Sequence, residues 1–554
     1  MKRTIWTLSI ICSLTVLFLA WPGISPPLMA QTIEVTSADP PSAEQGTINL
    51  NVAIKGKGFD HSARAQFFLT GTTNPGGITV NSTKFVSRTD LIANIDVAED
   101  AVIAGFDVVV MASRGRTGKG TELFSVTEKS TGPPTCEVFP LPLGFTNVAV
   151  LNSGSPTFTG EFGRGIAISR TVLDPSGPTE VLVAAVASRI SGKVEVFLLD
   201  PVSGEQISHL PSLVIPSASA DQGFVTITQG DANSDSVPDI IVASRDVQVA
   251  YAFLGHVEGG VLTYPGGIPI IPPPGESTGY FGEALAVGDV DGDAKNEVLV
   301  GAPGSDIGSA KRGGVVFVFK FDGALSEFDF DRIIAAPSPR NGDEFGRSVA
   351  VGDVTGDGVP DVVVGAIGRQ VSKARNAGAV LVFPGPIPTN PASVIELSSE
   401  VKGQQLGYRT TLADVNGNGT GDVISVAYLK SPAVVFAAPV SNGDEPSYTL
   451  TQNSGDPEGY GTDISSGDIN GDSLAEVFVG APNACTGVAH FYVSGSFPLA
   501  VHHVLYPPDA DGDTLLYGWA VAAAPGSRIF LVGEPRREVG GVGMAGQVYV
   551  YRVE

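Results

Sequence analysis

The chain has 554 residues and a formal net charge of −25 at pH 7, from 33 basic and 58 acidic side chains. Nucleic acids and anionic membranes bind proteins that present a basic face. This strong acidic excess therefore argues against both as partners. The 69 glycines and 40 prolines favour short strands and turns over helices. The length predicts more than one domain.

Residues 1–30 have the features of a secretory signal peptide, with two basic residues before an apolar run at 5–21. We expect cleavage before Gln31. The alternative is an uncleaved anchor, but the run is shorter than the ~20 residues that a membrane span prefers. The prediction is a secreted, cell-surface or periplasmic protein with no membrane span after cleavage. In an oxidising compartment Cys136 and Cys485 could form a disulfide.

Residues 31–127 predict a small β-sandwich. Runs with strand character at 48–54, 91–97, 106–110 and 122–126 are separated by Gly, Pro and Asn turns. With Gly56-Lys-Gly-Phe59, this region is similar to an IPT/TIG-type immunoglobulin-like domain. Residues 128–142, rich in Ser, Thr, Gly and Pro, are predicted to be a linker.

Five segments between residues 231 and 476 share one spacing of oxygen-bearing side chains. Each has Asp at position 1, an oxygen-bearing residue (Asp, Asn or Thr) at positions 3 and 5, and Asp or Glu at position 9. In chain order these residues are Asp231, Asn233, Asp235, Asp239; Asp289, Asp291, Asp293, Glu297; Asp353, Thr355, Asp357, Asp361; Asp414, Asn416, Asn418, Asp422; and Asp468, Asn470, Asp472, Glu476. We name each loop by its first Asp.

This spacing is typical of calcium loops. A hard cation that takes about six to eight oxygen ligands needs several carboxylate and amide groups converging from one tight turn. The alternative is a set of turns stabilised by Asx hydrogen bonds without metal. Turn formation alone does not need carboxylates at both ends, so the sequence predicts up to five Ca²⁺ ions.

The loops belong to a longer repeat. A dipeptide that we call the marker, an aromatic residue or Leu followed by Gly, precedes four loops at Phe281-Gly282, Phe345-Gly346, Leu406-Gly407 and Tyr460-Gly461. Further copies begin at Phe162-Gly163 and Tyr517-Gly518 without an acidic loop, and at a scrambled Gly223-Phe224. The period is 54 to 64 residues.

A β-rich run follows each loop, and a further strand follows that run. Short strands at this period predict propeller blades. The expected fold is all-β, with a seven-bladed β-propeller over residues 143–554 after the sandwich. A strand near 147–151 supplies the outer strand that the last copy lacks, which closes the ring.

Over about residues 137–554 the chain resembles the FG-GAP repeat proteins, the family of the integrin α-subunit β-propeller. In that family, side chains at positions 1, 3, 5 and 9 and the main-chain carbonyl at position 7 bind the ion. The resemblance therefore implies carbonyl ligands from Val237, Lys295, Val359, Thr420 and Leu474. Counting carboxylates predicts that the Asp289 loop binds most tightly and the Asp414 loop most weakly.

The resemblance implies an exported bacterial protein that recognises an extracellular or envelope protein or a glycan, as an adhesion or surface-assembly component and not an enzyme. Its partner face is expected opposite the metal loops, at residues 303–313, 368–376 and 483–487. The alternatives are a polysaccharide-acting enzyme and a structural spacer.

No catalytic residue is predicted. The Gly275-Glu-Ser277-Thr-Gly279 and Gly541–Gly546 segments match catalytic or nucleotide motifs, but neither precedes a predicted helix, so both are interpreted as turns. The six histidines lack zinc spacing and are expected to be exposed or half-buried.

Overall fold

The computed structural model describes residues 32–48, 50–128, 144–154, 160–174, 179–189, 192–215, 225–387, 393–427, 432–450, 459–483, 487–494, 501–508 and 516–554. The chain forms two compact units, Met1–Ser130 and Thr131–Glu554. The predicted signal peptide, nearly all of the predicted linker, Cys136, Cys485 and the Gly223-Phe224 marker lie outside the described residues.

The prediction of an all-β protein is confirmed. Within the described ranges the only helical element is a short 3-10 turn, Ser113–Gly115. None of these residues forms a helix that could span a bilayer.

The first unit contains eight strands. They are β1 (Glu34–Asp39), β2 (Ser42–Glu44), β3 (Leu50–Lys57), β4 (Arg64–Leu69), β5 (Ile78–Phe85), β6 (Asp90–Val97), β7 (Gly105–Met111) and β8 (Thr117–Thr127). They form two four-stranded sheets, in the orders β1-β3-β6-β5 and β2-β8-β7-β4. Both sheets contribute to one core, with Ile54 and Leu91 from the first sheet and Phe67 and Phe106 from the second.

This unit is therefore a two-sheet β-sandwich. The strands predicted from sequence correspond to β3, β6, β7 and β8. Four others were missed, because strands such as the edge strand β5, which buries only one of its eight residues, lack a strong apolar pattern.

The second unit begins with β9 (Phe145–Asn152). Sheet 1 contains β10 (Phe162–Asp174), β11 (Thr179–Ser188), β12 (Lys193–Leu199), β13 (Gln206–His209) and β14 (Leu213–Val214). Sheet 2 contains β15 (Val225–Gly230), β16 (Asp239–Ser244), β17 (Val249–Phe253) and β20 (Ile268–Ile270), with a separate hairpin of β18 (His256–Glu258) and β19 (Val261–Thr263).

Sheets 3 to 5 each have four strands. Sheet 3 contains β21 (Ala284–Gly288), β22 (Glu297–Ala302), β23 (Val315–Asp322) and β24 (Glu327–Ile334). Sheet 4 contains β25 (Phe345–Gly352), β26 (Asp361–Ala366), β27 (Ala379–Phe383) and β28 (Ile395–Leu397). Sheet 5 contains β29 (Leu406–Ala413), β30 (Asp422–Ala427), β31 (Ala433–Phe436) and β32 (Tyr448–Leu450).

The last two sheets complete the unit. Sheet 6 contains β33 (Ile464–Gly467), β34 (Glu476–Ala481), β35 (Val488–Tyr492) and β36 (Val501–Leu505). Sheet 7 contains β37 (Val521–Ala523), β38 (Ile529–Glu534) and β39 (Gln547–Val553), and its fourth strand is β9. β9, which includes residues 147–151, pairs antiparallel with the C-terminal strand, so that Asn152 lies opposite Gln547.

The sheets are arranged in a ring. Their first strands contact one another in the order β10, β15, β21, β25, β29, β33, β37 and back to β10. We call these the inner strands. The second strand of sheets 2 to 7 is buried at all six residues, because neighbouring sheets cover both of its faces. This arrangement is a β-propeller.

The structure explains the marker. Its first residue is buried in each described copy, as Phe345 is. Its glycine has a positive φ in all six, for example 92° at Gly346. A Cβ added to Gly346 would lie 2.5 Å from the carbonyl oxygen of Val315, so both the backbone conformation and the close packing require glycine here.

The motif-like segments at 275–279 and 541–546 lie in connections between strands, as predicted. The expectation for the histidines is wrong for His490, which is fully buried in β35 between the rings of Tyr460 and Tyr492. A strand buried on both faces leaves no exposed position for it.

Candidate metal centre

The five acidic loops are equivalent hairpins. Each connects an inner strand to the second strand of its sheet, in sheets 2 to 6. The residue before position 1 pairs with position 9, as Gly352 does with Asp361. Because the markers precede the inner strands and the loops follow them, the loops lie at the opposite end of those strands from the markers.

The carboxylate at position 1 organises each turn. In the Asp353 loop, its two oxygens accept hydrogen bonds from the backbone N–H groups of Gly356 and Gly358, at 2.7 and 2.8 Å. Positions 4 and 6 have positive φ in all five loops. Glycine relieves the strain of this conformation, and non-glycine residues such as Ser236, Ala294 and Ser473 adopt it in three of the loops.

Position 5 contributes a second contact that recurs in all five loops. In every loop its side-chain oxygen accepts a hydrogen bond from the backbone N–H at position 7, at 2.8–2.9 Å. These bonds hold the side chain of position 5 against the loop backbone. They are also the Asx bonds of the metal-free alternative, so they do not distinguish the two interpretations.

Position 9 carries the buried acid of each loop. Its carboxylate is at most 1% exposed in all five loops. One oxygen accepts the backbone N–H of position 2, at 2.7–3.0 Å. In three loops the other oxygen accepts an N–H that follows the third strand, from Gly255, Gly385 or Ala438. A simple turn does not need a buried acid.

Burial makes ionisation of these groups unfavourable. Desolvation raises the pKa of all five position 9 carboxyls, to about 7 for Asp239 and Glu297. In four loops nearby carboxylates raise it further, as Asp235 and Asp231 do for Asp239. A cation beside the loop would stabilise the charged form.

The Asp289 loop brings its acids closest together. Oxygens of Asp289, Asp291 and Glu297 lie within 4.8 Å of one another. Oε1 of Glu297 is buried and accepts no hydrogen bond from the described residues. This all-oxygen donor set, with a buried oxygen facing the turn, fits a hard cation such as Ca²⁺.

The same loop contains a feature that the sequence did not reveal. Lys320, on β23, pairs with Glu297 in the sheet register. Its Nζ lies 2.5 Å from Oδ2 of Asp291, 3.0 Å from Oδ2 of Asp293 and 3.6 Å from Oε1 of Glu297. Arg332 also contacts Oδ2 of Asp291, at 3.2 Å. These cations offset the carboxylates on which the predicted rank of this loop depends.

The other four loops lack this cation. Continuing the register of each second and third strand by one residue places apolar residues at the position of Lys320. They are Leu254, Pro384, Ala437 and Val493.

A second group of polar residues lies at the marker end of the inner strands. A cavity of about 370 Å³ is lined by residues from the beginning of all seven inner strands. We call it the axial mouth. The residue directly after the marker glycine lines it in the described copies, including Arg164, Glu283, Arg347, Tyr408 and Trp519. None of these residues was predicted from the sequence as a site residue, although their fixed place directly after the marker is a signal that could have indicated them.

Together the ring of sheets and the acidic hairpins define a β-propeller with candidate cation loops. The FG-GAP repeat profile matches residues 281–319, 345–383 and 460–487, which contain the Asp289, Asp353 and Asp468 loops. Curated relatives include integrin alpha-PS3 of Drosophila melanogaster and integrin alpha-4 of Xenopus laevis, each 29% identical, over 231 and 168 residues. The second unit is therefore an integrin-like β-propeller that carries FG-GAP repeats.

The matches cover only part of each protein. The two integrins match 39% and 28% of this chain, which spans 20% and 15% of their lengths. Bovine phosphatidylinositol-glycan-specific phospholipase D is 32% identical over 153 residues, covering 26% of this chain and 18% of the relative.

Solved structures also resemble the chain. They include the exotype rhamnogalacturonan lyase YesX, with a TM-score of 0.37 and 12% identity over 94% of this chain and 91% of that one. The Dos1 propeller has a TM-score of 0.38 and 10% identity over 74% and 95%. Since these scores are low, the fold assignment rests on the strand pairing described above.

Proposed function

We propose that this chain is an exported, calcium-stabilised recognition protein, a seven-bladed propeller preceded by an immunoglobulin-like domain. Calcium would be held by positions 1, 3, 5 and 9 of the five loops and by the carbonyl at position 7. The observation that carries the proposal is the buried carboxylate at position 9, which recurs in all five loops. The integrin relatives support an adhesive or recognition role outside the cell.

Thermal unfolding with and without calcium tests the metal. A site whose ion is present at 100 times its Kd adds about 2.7 kcal/mol to the free energy of unfolding. We expect Ca²⁺ to raise the unfolding midpoint well above its value in a chelator, and Mg²⁺ to raise it less, because Mg²⁺ needs a tighter octahedral geometry. Equal midpoints with Ca²⁺ and with chelator would contradict the proposal.

Recognition is tested separately. Glycan arrays and pull-downs from envelope extracts should yield a partner when Ca²⁺ is present and lose it when chelator unfolds the loops. A partner that binds equally with chelator would show that the loops do not support the binding surface.

A polysaccharide-acting enzyme is the second candidate, because the axial mouth holds two carboxylates and a tyrosine outside the loops: Glu283, Asp463 and Tyr408. Burial raises the pKa of Asp463 to about 6, which suits a proton-transfer group. Release of reducing ends by the wild type, and its loss in Asp463→Asn, would favour this candidate. Glu283 is held by arginines, which favours binding over catalysis.

A further inference from the structure

The axial mouth concentrates positive charge on an acidic protein. Its lining contains four arginines, Arg164, Arg245, Arg347 and Arg409, but only two carboxylates, Glu283 and Asp463. The whole chain has a net charge of −25, so this local excess runs against the composition. A concave site lined by one sign of charge attracts ligands of the other.

Glu283 is shared among three of these arginines. Nη1 of Arg245 lies 2.8 Å from its Oε2, and Nη1 of Arg347 lies 2.6 Å from its Oε1. Nη1 of Arg409 is 3.9 Å from the same Oε1. Other carboxylates also contact the mouth arginines. Arg245 lies 3.7 Å from Asp246. Arg164 lies 3.4 Å from Glu161, which also contacts Arg189 and Arg536. With Asp463 of the lining, six guanidinium groups therefore face four carboxylates, and a positive excess remains.

The arginines are held in position by aromatic rings. The guanidinium of Arg164 lies 3.6 Å from the ring centroid of Trp519. Those of Arg347 and Arg409 lie 4.4 and 4.8 Å from the ring centroid of Tyr408. Cation–π contacts of this kind order the side chains before a ligand binds, which lowers the entropy cost of binding.

One donor in the mouth lacks an acceptor. Nε of Arg347 is buried and makes no hydrogen bond to the part of the chain that the structure describes. A buried N–H without a partner costs free energy that a ligand oxygen would recover. Hydroxyl side chains of Thr226, Ser348, Thr410 and Thr462 also line the wall. Three of them donate their proton to a protein carbonyl, so their oxygens can serve as acceptors for a ligand hydroxyl.

We propose that the axial mouth binds a uronic acid residue, a sugar ring that carries a carboxylate. The planar fork of arginine matches a carboxylate, and the hydroxyl groups of the wall suit the ring hydroxyls. A cavity of about 370 Å³ falls in the range of small-molecule sites, about 300–1,000 Å³. The inference rests on the recognition role proposed above and assigns it a site and a ligand class.

Titration calorimetry of the full chain in Ca²⁺ tests this, with glucuronic acid and a glucuronic-acid disaccharide as probes. Glucose and the corresponding glucose disaccharide are the matched neutral probes, since they carry a hydroxymethyl group where the acidic sugars carry the carboxylate. We expect the acidic sugars to bind at least about tenfold more tightly, a difference of about 1.4 kcal/mol. The affinity should fall as salt is added. Equal binding of the neutral sugars, or no binding of the acidic ones, would overturn the proposal.

Two variants locate the binding. Arg347→Gln and Arg409→Gln should each weaken binding of the acidic sugar by about tenfold or more. Arg340→Gln, at an exposed residue outside the mouth, is the matched control and should bind as the wild type does. If Arg347→Gln fails to fold, Arg409→Lys, which keeps the charge but loses the fork, takes its place and should still bind more weakly. Full affinity in the folded arginine variants would overturn the proposal.

The outcomes separate this inference from the recognition role. An acidic peptide that binds through these arginines, while uronic acids do not, would overturn the ligand class and leave a protein-recognition role. A partner from the array that binds equally to wild type and to the arginine variants would overturn the site and leave the role. Calcium stabilisation is measured independently in each protein.

Discussion

The ammonium of Lys320 lies 2.5 Å from Oδ2 of Asp291, inside the set of oxygens that the Asp289 loop offers to a cation. A fixed positive charge there competes with Ca²⁺ for the same carboxylates. We expect Lys320→Met to raise the Ca²⁺ affinity of this loop by about tenfold, or about 1.4 kcal/mol. The measurement is a calcium titration in a background where position 5 of the other four loops is alanine.

The control for this prediction is Lys311→Met. Lys311 forms an ion pair with Asp306, outside the acidic loops, at 2.6 Å. The Lys311→Met substitution should leave the Ca²⁺ affinity of the Asp289 loop unchanged. An affinity that stays the same or falls in Lys320→Met would show that this lysine supports the loop instead of competing for it.

Substitutions at positions 5 and 9 of the Asp353 loop should separate the structural role of a carboxylate from its role in metal binding. Asp361→Ala removes the acceptor of three backbone N–H groups, those of Val354, Thr355 and Gly385. Buried donors without an acceptor are costly, so we expect a loss of about 3 kcal/mol or more even in chelator. Asp357→Ala, at an exposed position, should cost less than about 1 kcal/mol in chelator.

The two variants are compared by urea unfolding in chelator and in Ca²⁺. Asp357→Ala should lose the part of the calcium stabilisation that the Asp353 loop contributes. Asp361→Asn, which keeps the size and one acceptor oxygen, should retain more stability in chelator than Asp361→Ala. Similar losses for Asp357→Ala and Asp361→Ala in chelator would refute the structural role of position 9.

The marker glycine should tolerate no side chain. In Gly346→Ala the new Cβ would lie 2.5 Å from the carbonyl oxygen of Val315, and the residue would keep a φ of 92°. Backbone strain and the clash together should cost about 3 kcal/mol. Gly403 also has a positive φ but has open space around its Cβ position, so Gly403→Ala should cost only about 1 kcal/mol. The free energy of unfolding of both variants is measured by urea unfolding. Equal losses of stability would show that close packing is not the reason for glycine in the marker.

The repeating parts of this fold could be predicted from the sequence. The Phe345-Gly346 marker, the Asp353 loop and the apolar run of β26 recur at one spacing, so their order alone indicated a sheet and a hairpin. Contacts between residues far apart in the sequence could not be predicted in this way. Lys320 reaches Asp291 through strand pairing, and Arg347 of sheet 4 reaches Glu283 at the start of sheet 3. Such pairs depend on how strands align and on the ring of sheets, which no local pattern specifies.

His490 gives the chain a pH-dependent stability. Burial lowers the pKa of this histidine to about 4, from 6.5 in an unfolded chain. Between these values the unfolded state binds a proton that the folded state does not, so the free energy of unfolding falls as the pH falls from about 6.5 to about 4.

The size of this effect follows from the difference between the two pKa values, which corresponds to a loss of about 3 kcal/mol. His490→Phe should lack this component, whereas His256→Phe, at an exposed histidine, should keep it. The measurement is urea unfolding in chelator from pH 7 to pH 4, comparing each variant with the wild type so that the carboxylates shared by all three proteins cancel. A wild-type minus His490→Phe difference that does not change with pH would mean that this imidazole takes up its proton equally in both states.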